Sequence, residues 1–127
     1  MIRKSLAAIL ALVITVTWIG MNYAQESAGP ILRIVTYKAA PGNQEELMKF
    51  TGEEIPKLYA EAKGLQWYKI YYDPSTSEFG TITIWDSQAD VDAYMKSEAR
   101  KAAVEKMKSL IQGDISTKVY QVYEPKK

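Results

Sequence analysis

The chain of 127 residues contains no cysteine and no histidine. Without cysteine there is no disulfide framework, no thiol nucleophile, no thiolate metal ligand and no cysteine to carry a lipid. Without histidine the commonest general base, the commonest zinc ligand and the usual axial ligand of haem are all missing. An excess of one charge is missing too, because 16 Lys and Arg stand against 15 Asp and Glu. That balance excludes the basic footprint of a nucleic-acid binder and the acidic tail of a disordered tether. The basic residues from Lys96 to Lys108 are interleaved with Glu98 and Glu105. Such a pattern describes a solvated helix face rather than a phosphate-binding stripe. There is no Gly-rich phosphate loop, no activated-serine arrangement and no metal motif. Asp86 and Asp90 suit a helix start, Asp92 points elsewhere on that helix, and adjacent Glu53 and Glu54 face different directions. None of these makes a cation site or a catalytic carboxylate pair.

What is abundant is apolar and aromatic material, with nine Tyr and three Trp, enough to pack the core of one domain. The first residues read as an address. Arg3 and Lys4 precede an uncharged run from Ser5 to Gly20, and Ala24 offers a small residue for cleavage. Residues 1–24 are therefore expected to be a secretory signal peptide, with an uncleaved membrane anchor as the alternative. Residues 25–30 form a short polar leader, 31–125 the folded domain, and 126–127 a tail. The domain is expected to be exported, periplasmic or extracellular, or anchored with the domain outside the cytoplasm.

Ile31–Ala39 reads as a strand, with Arg33, Val35 and Tyr37 on one face and Leu32, Ile34 and Thr36 on the other. Gln44–Ala62 reads as a helix with Leu47, Phe50, Ile55, Leu58 and Ala62 near one side, and Pro56 predicts a kink near Gly52–Pro56. Leu65–Tyr72 and Phe79–Trp85 read as strands joined by a turn at Asp73–Ser77, and Gly80 suggests a bulge or a close approach of backbone. Ser87 and Ser97 suit the caps of two helices, the second spanning Glu98–Ile111 and ended by Gly113. Ile115–Tyr123 reads as the last strand. The order is β-α-β-β-α-β with the second helix broken in two: an α+β, ferredoxin-like arrangement with an antiparallel four-stranded sheet. Apolar residues occupy both parities of the strands, as in Ile34 and Val35 or Tyr71 and Tyr72. A sheet apolar on both faces needs cover on the second, and a further copy of the chain is the simplest cover.

From Ile31 to Pro125 the chain resembles the dimeric α/β-barrel superfamily that includes antibiotic-biosynthesis and haem-degrading monooxygenases. The resemblance is carried by Lys38–Gly42, Gly64–Leu65, Tyr72–Pro74, Trp85–Ser87 and Lys96–Ala102. Gly64–Trp67, Ala93–Met95 and Lys118–Pro125 look most like a branch of small monooxygenases of unassigned substrate. The resemblance implies a homodimer joined through the sheet face and a small apolar or aromatic ligand. Haem-degrading members carry an Asn, a Trp and a His at positions matching Val35, Trp85 and Val104. Only Trp85 agrees, so haem degradation is not implied.

Cofactor-independent monooxygenases of this kind oxidise phenolic or anthrone-like compounds whose own electron-rich ring reacts with oxygen. Such a site needs an apolar pocket, a polar group that assists proton removal, and exclusion of water. Trp85, Trp67, Tyr71 and Tyr94 are the candidates to line it, with Tyr37 or Arg33 as the polar handle. The same aromatics also suit core and interface packing. The reading is an exported, cofactor-free monooxygenase on an aromatic or quinol-like substrate, with no cofactor and no metal. A non-catalytic ligand-binding module and a structural dimeric domain are the alternatives.

Overall fold

A computed structural model of the chain describes residues 29–125. The expected signal peptide or anchor at 1–24, most of the 25–30 leader and the 126–127 tail lie outside the described residues. The elements are β1 (Ile31–Ala39), α1 (Gln44–Ala60), β2 (Leu65–Asp73), β3 (Glu78–Trp85), α2 (Gln88–Lys96), α3 (Glu98–Lys108) and β4 (Ile111–Gln121). The four strands form one antiparallel sheet in the order β2-β3-β1-β4. This is the ferredoxin-like arrangement, with the second helical segment split at Ser97. The Ser97 hydroxyl accepts from the Arg100 N–H and so starts α3 directly after α2 ends. Among the described residues no helix is long and apolar enough to cross a membrane.

Strand alternation sorts the side chains. Ile31, Arg33, Tyr37 and Ala39 are buried toward the helices, as are Phe79, Thr81, Thr83 and Trp85 from β3. Leu47, Phe50, Ile55 and Tyr59 of α1 pack with Tyr37, Ala39 and Phe79, while Ile31 and Trp85 pack with Val91 of α2. On the other face the register builds a row across all four strands: Trp67 opposite Ile84, Ile84 opposite Leu32, and Leu32 opposite Tyr120. Trp67 is 43% exposed and Tyr120 49%. No element among the described residues covers this face.

Several boundaries differ from the sequence reading. Strand β4 starts at Ile111 rather than Ile115, and α3 stops at Lys108. Gly113, with φ +74°, does not end the helix. It lies where β4 carries two extra residues against β1, between the pairs Thr36–Ser116 and Lys38–Gln112. A left-handed residue inside a bulge looks the same in sequence as a helix stop, since glycine serves both. The other bulge is at Gln66, between the pairs Leu65–Trp85 and Trp67–Ile84. Gly80 is the alternative the sequence allowed, a close approach: pairing runs regularly through it, and the Tyr71 ring fills the space a Cβ would need. Helix α1 continues through Pro56 without a break. Gly52, whose carbonyl loses its donor there, lies on the exposed side.

Candidate functional site: a cavity between sheet and helices

A cavity lies between the sheet and all three helices. Arg33, Val35 and Tyr37 of β1 form its floor with Thr81 of β3 and Ile115 and Thr117 of β4. Ile55, Leu58 and Tyr59 of α1, Tyr94 of α2, and Arg100, Ala103, Val104 and Met107 of α3 close it. The volume open to the centres of water-sized spheres is about 50 Å³, several times the roughly 10–15 Å³ that one water needs. Wider hollows of about 320 and 380 Å³ lie along α1 and α3, but Glu and Lys side chains rim them. The cavity between the layers is the better candidate because it combines apolar walls with a few convergent polar groups.

Those polar groups are cations and phenols. Arg33 is only 6% exposed. Its Nη2 donates to Met95 Sδ at 3.4 Å, a weak acceptor. Burial holds its guanidinium below the ordinary range, the field of Arg100 pushes the same way, and Tyr59 and Tyr94 oppose it. An arginine remains protonated through such shifts. The ion pairs found among the described residues are Glu54–Lys57, Glu98–Lys101 and Glu105–Lys108, all on exposed helix surface. No carboxylate lines the cavity.

The phenols are neutral donors and acceptors. The Tyr59 hydroxyl donates to Thr81 Oγ1 at 3.3 Å, and that of Tyr37 shares a hydrogen with Thr51 Oγ1 at 3.3 Å. Burial pushes the pKa of Tyr94, Tyr59 and Tyr37 upward; Tyr59 adds to the effect at Tyr94, and the threonine bonds partly offset it at Tyr59 and Tyr37. None of the three is a base near neutral pH. The site can therefore bind, desolvate and hold charge, but it brings no side chain that removes a proton.

The six residues singled out in the sequence fall into three groups. Arg33, Tyr37 and Tyr94 line the cavity together. Trp85 stands behind its wall, fully buried, with its ring 4.9 Å from that of Tyr94 and its Nε1 donating to Thr83 Oγ1 at 2.9 Å. Trp67 and Tyr71 are on the opposite face of the sheet, across Ile84 and Gly80. Tyr59, Thr81, Arg100 and Met107 line the cavity without having been singled out. The one available signal was that Arg100 lies in the first turn after the Ser97 cap. Val35 and Val104, the positions matched to the haem-degrading Asn and His, both line the cavity.

A ferredoxin-like sheet with one helical layer, an apolar second face and a cavity between the layers defines a class of small α+β domains. Residues 30–106 match the model of the antibiotic biosynthesis monooxygenase family, and the chain belongs to it. No curated protein matches the sequence. Among solved structures it is similar to a candidate antibiotic biosynthesis monooxygenase of Caulobacter crescentus. They share 18% identity at TM-score 0.70, over 77% of this chain and 93% of that one. A Pseudomonas aeruginosa protein shares 19% identity at TM-score 0.65, over 77% and 98%. SnoaB, a cofactor-independent oxygenase from Streptomyces nogalater, shares 8% at TM-score 0.65, over 77% and 97%. At these identities the likeness speaks for the fold alone.

Proposed function

We propose that the protein is an exported, cofactor-independent monooxygenase that oxidises a small aromatic or quinol-like compound held in the cavity. The observation that carries this reading is the lining itself: apolar walls, three neutral phenols and a buried cation in a chain of this family. The substrate's own ring supplies the electrons. When a ring methylene, in its enolate form, becomes a carbonyl, one oxygen atom enters the product and the other leaves as water. That balance needs no external reductant. The cavity walls exclude water from the intermediate, and the arginines stabilise negative charge on the substrate oxygen. The test is oxygen uptake with candidate quinols and anthrone-like compounds under labelled dioxygen. One labelled oxygen per product and one dioxygen consumed per substrate is the expected result; unlabelled or unaltered compound removes the reading.

The lack of a base favours one second reading, a non-catalytic module that sequesters the same class of compound. A tightly bound ligand recovered unaltered under oxygen would decide for it. In either case the working form is a homodimer whose sheets cover each other along the row Trp67–Ile84–Leu32–Tyr120. Export rests on the basic and apolar start of the chain. A mature protein beginning at Gln25 in the envelope fraction supports it, and full-length protein in the cytoplasm removes it.

A further inference from the structure

The cavity is smaller than the ring it would hold. About 50 Å³ is open to the centres of water-sized spheres, whereas a cavity of roughly 150 Å³ takes up benzene. A ring must therefore move part of the wall as it enters. In a close-packed interior a side chain yields only where there is space behind it. Two hollows lie outside the wall. One of about 320 Å³ runs between α1 and α3, and one of about 250 Å³ lies between the end of α1 and the corner where α2 meets α3. Three side chains line the cavity and a hollow at once: Ala103 faces the first hollow, Tyr94 the second, and Leu58 both. Ala103 has only a methyl group and nothing to turn. Tyr94 is held between the rings of Trp85, at 4.9 Å, and Tyr59, at 6.0 Å. Leu58 is half-buried, with free volume on two sides, so it can change rotamer without displacing a neighbour. The next residue, Tyr59, is buried and bonded to Thr81, which holds α1 in place while the leucine turns.

We infer that Leu58 is the gate of the cavity and the residue that sets how large a ring it admits. A ligand enters between α1 and the α2–α3 corner, and Leu58 turns outward into a hollow to make room for it. This rests on the cavity being the ligand site and adds the way in and the size limit. Ala99 has a part in it without touching the cavity. It lines both hollows from the exposed start of α3, and its small side chain leaves free the space that Leu58 needs. A larger residue there would hold the gate shut from outside. With Leu58 back against Ala103 and Tyr94, the wall again keeps water from the ligand.

The test compares phenol, one ring, with 1-naphthol, two fused rings, under anaerobic conditions. Calorimetry gives the affinity of the purified protein for each, and stopped-flow fluorescence of 1-naphthol gives its rate of entry. Leu58→Ala should speed that entry at least about tenfold, since association is slow where binding needs a conformational change. It should also shift the affinity ratio toward 1-naphthol by a similar factor. Ala99→Leu should slow entry at least about tenfold although it adds nothing to the cavity wall. In the double variant the effect of Ala99→Leu should vanish, because the side chain it obstructs is gone. Near-ultraviolet circular dichroism confirms folding, and Ala99→Leu, at an exposed position, carries the test alone if Leu58→Ala does not fold. Entry at the wild-type rate in folded Ala99→Leu, or the same slowing with and without Leu58, overturns the gate. Binding of neither probe to any of the proteins overturns it together with the cavity as ligand site. Failure of the oxygenase reading is separable. A probe that enters through Leu58 and is never oxidised leaves the gate standing. A ring compound oxidised by Ala99→Leu with unchanged entry removes the gate and leaves the oxygenase.

Discussion

Trp85 and Tyr94 pack with ring centroids 4.9 Å apart, and only Tyr94 reaches the cavity. Trp85 is sealed between β3 and α2, its one polar atom bonded to Thr83. Tyr94 in turn lies 6.0 Å from Tyr59, which lies 4.9 Å from Tyr68. The aromatics thus form a connected wall, and a residue at its back acts on a ligand through the ring in front.

Replacing Trp85 should accordingly cost stability before it costs binding. Trp85→Ala removes the largest fully buried side chain and should cost about 3–5 kcal/mol. Trp85→Phe keeps a ring against Tyr94 and should cost less, while releasing the Thr83 hydroxyl. Denaturant unfolding gives the first quantity. Ligand affinity of the folded Phe variant should change by no more than a few fold, whereas Tyr94→Ala, which opens the cavity wall, should change it more. A Phe variant of full stability but lost binding would place Trp85 in contact with the ligand.

The open sheet face carries the second prediction. Leu32 and Ile84 are paired across β1 and β3 at the middle of the apolar row, flanked by Trp67 and Tyr120. A Glu at either position would be buried without a partner in a face-to-face dimer, at a cost of several kcal/mol. Leu32→Glu should weaken self-association at least about a hundredfold, since each 1.4 kcal/mol is a factor of ten. Sedimentation velocity of wild type and variant measures it. A wild type that is monomeric at micromolar concentration would remove the dimer.

The element order was legible because strand alternation and helix periodicity are local. The pairing of Arg33 and Tyr37 on one face followed from parity alone. Which aromatics share the cavity was not local. Tyr71 and Tyr72 are adjacent and equally apolar, and only the packing of Tyr72 on Phe79 decides that Tyr72 faces inward. Trp67 is placed after a bulge at Gln66, which no residue type announces. Toward the end of α1 the stripe through Leu58 and Ala62 resembled the buried side, yet Leu58 is only half-buried and the buried side chain there is Tyr59. Its hydroxyl is satisfied by Thr81, a partner 22 residues away that sequence spacing does not reveal.

The buried phenols set a limit at high pH. Burial raises Tyr37 and Tyr59 above their ordinary value of 10.0, with threonine bonds opposing in part. A raised pKa in the folded state means that the unfolded chain loses its proton first. The stability these groups carry is complete below about pH 10 and is lost as the pH climbs toward their folded values. Each contributes a slope of about 1.4 kcal/mol per pH unit in that window. Chemical denaturation at pH 9, 10 and 11 should show little change over the first step and a marked loss over the second. Tyr59→Phe should flatten the loss by about one group's share, at a cost near 1 kcal/mol at neutral pH for the bond to Thr81.

Two glycines with nearly the same backbone offer an internal control for the α2 cap. Gly42 has φ +84° and Gly64 φ +83°, so an alanine at either should carry the left-handed penalty of about 1–2 kcal/mol. At Gly42 a new Cβ meets open space, whereas at Gly64 it would collide with the Asp90 side chain. Asp90 has little freedom to yield. Its N–H donates to the Ser87 hydroxyl at 3.2 Å and its carboxylate accepts from that hydroxyl at 3.1 Å, which fixes the start of α2. The Gly64 carbonyl also accepts from the Asp86 N–H at 2.7 Å, so the loop cannot easily swing away. Gly64→Ala should therefore lose the cap in addition, a further cost of about 0.5–2 kcal/mol, and melt several degrees below Gly42→Ala. Because α2 carries Tyr94, the Gly64 variant should also lose ligand affinity while the Gly42 variant keeps it. Equal melting temperatures for the two would mean that Asp90 moves aside freely and that the cap does not hold the cavity wall.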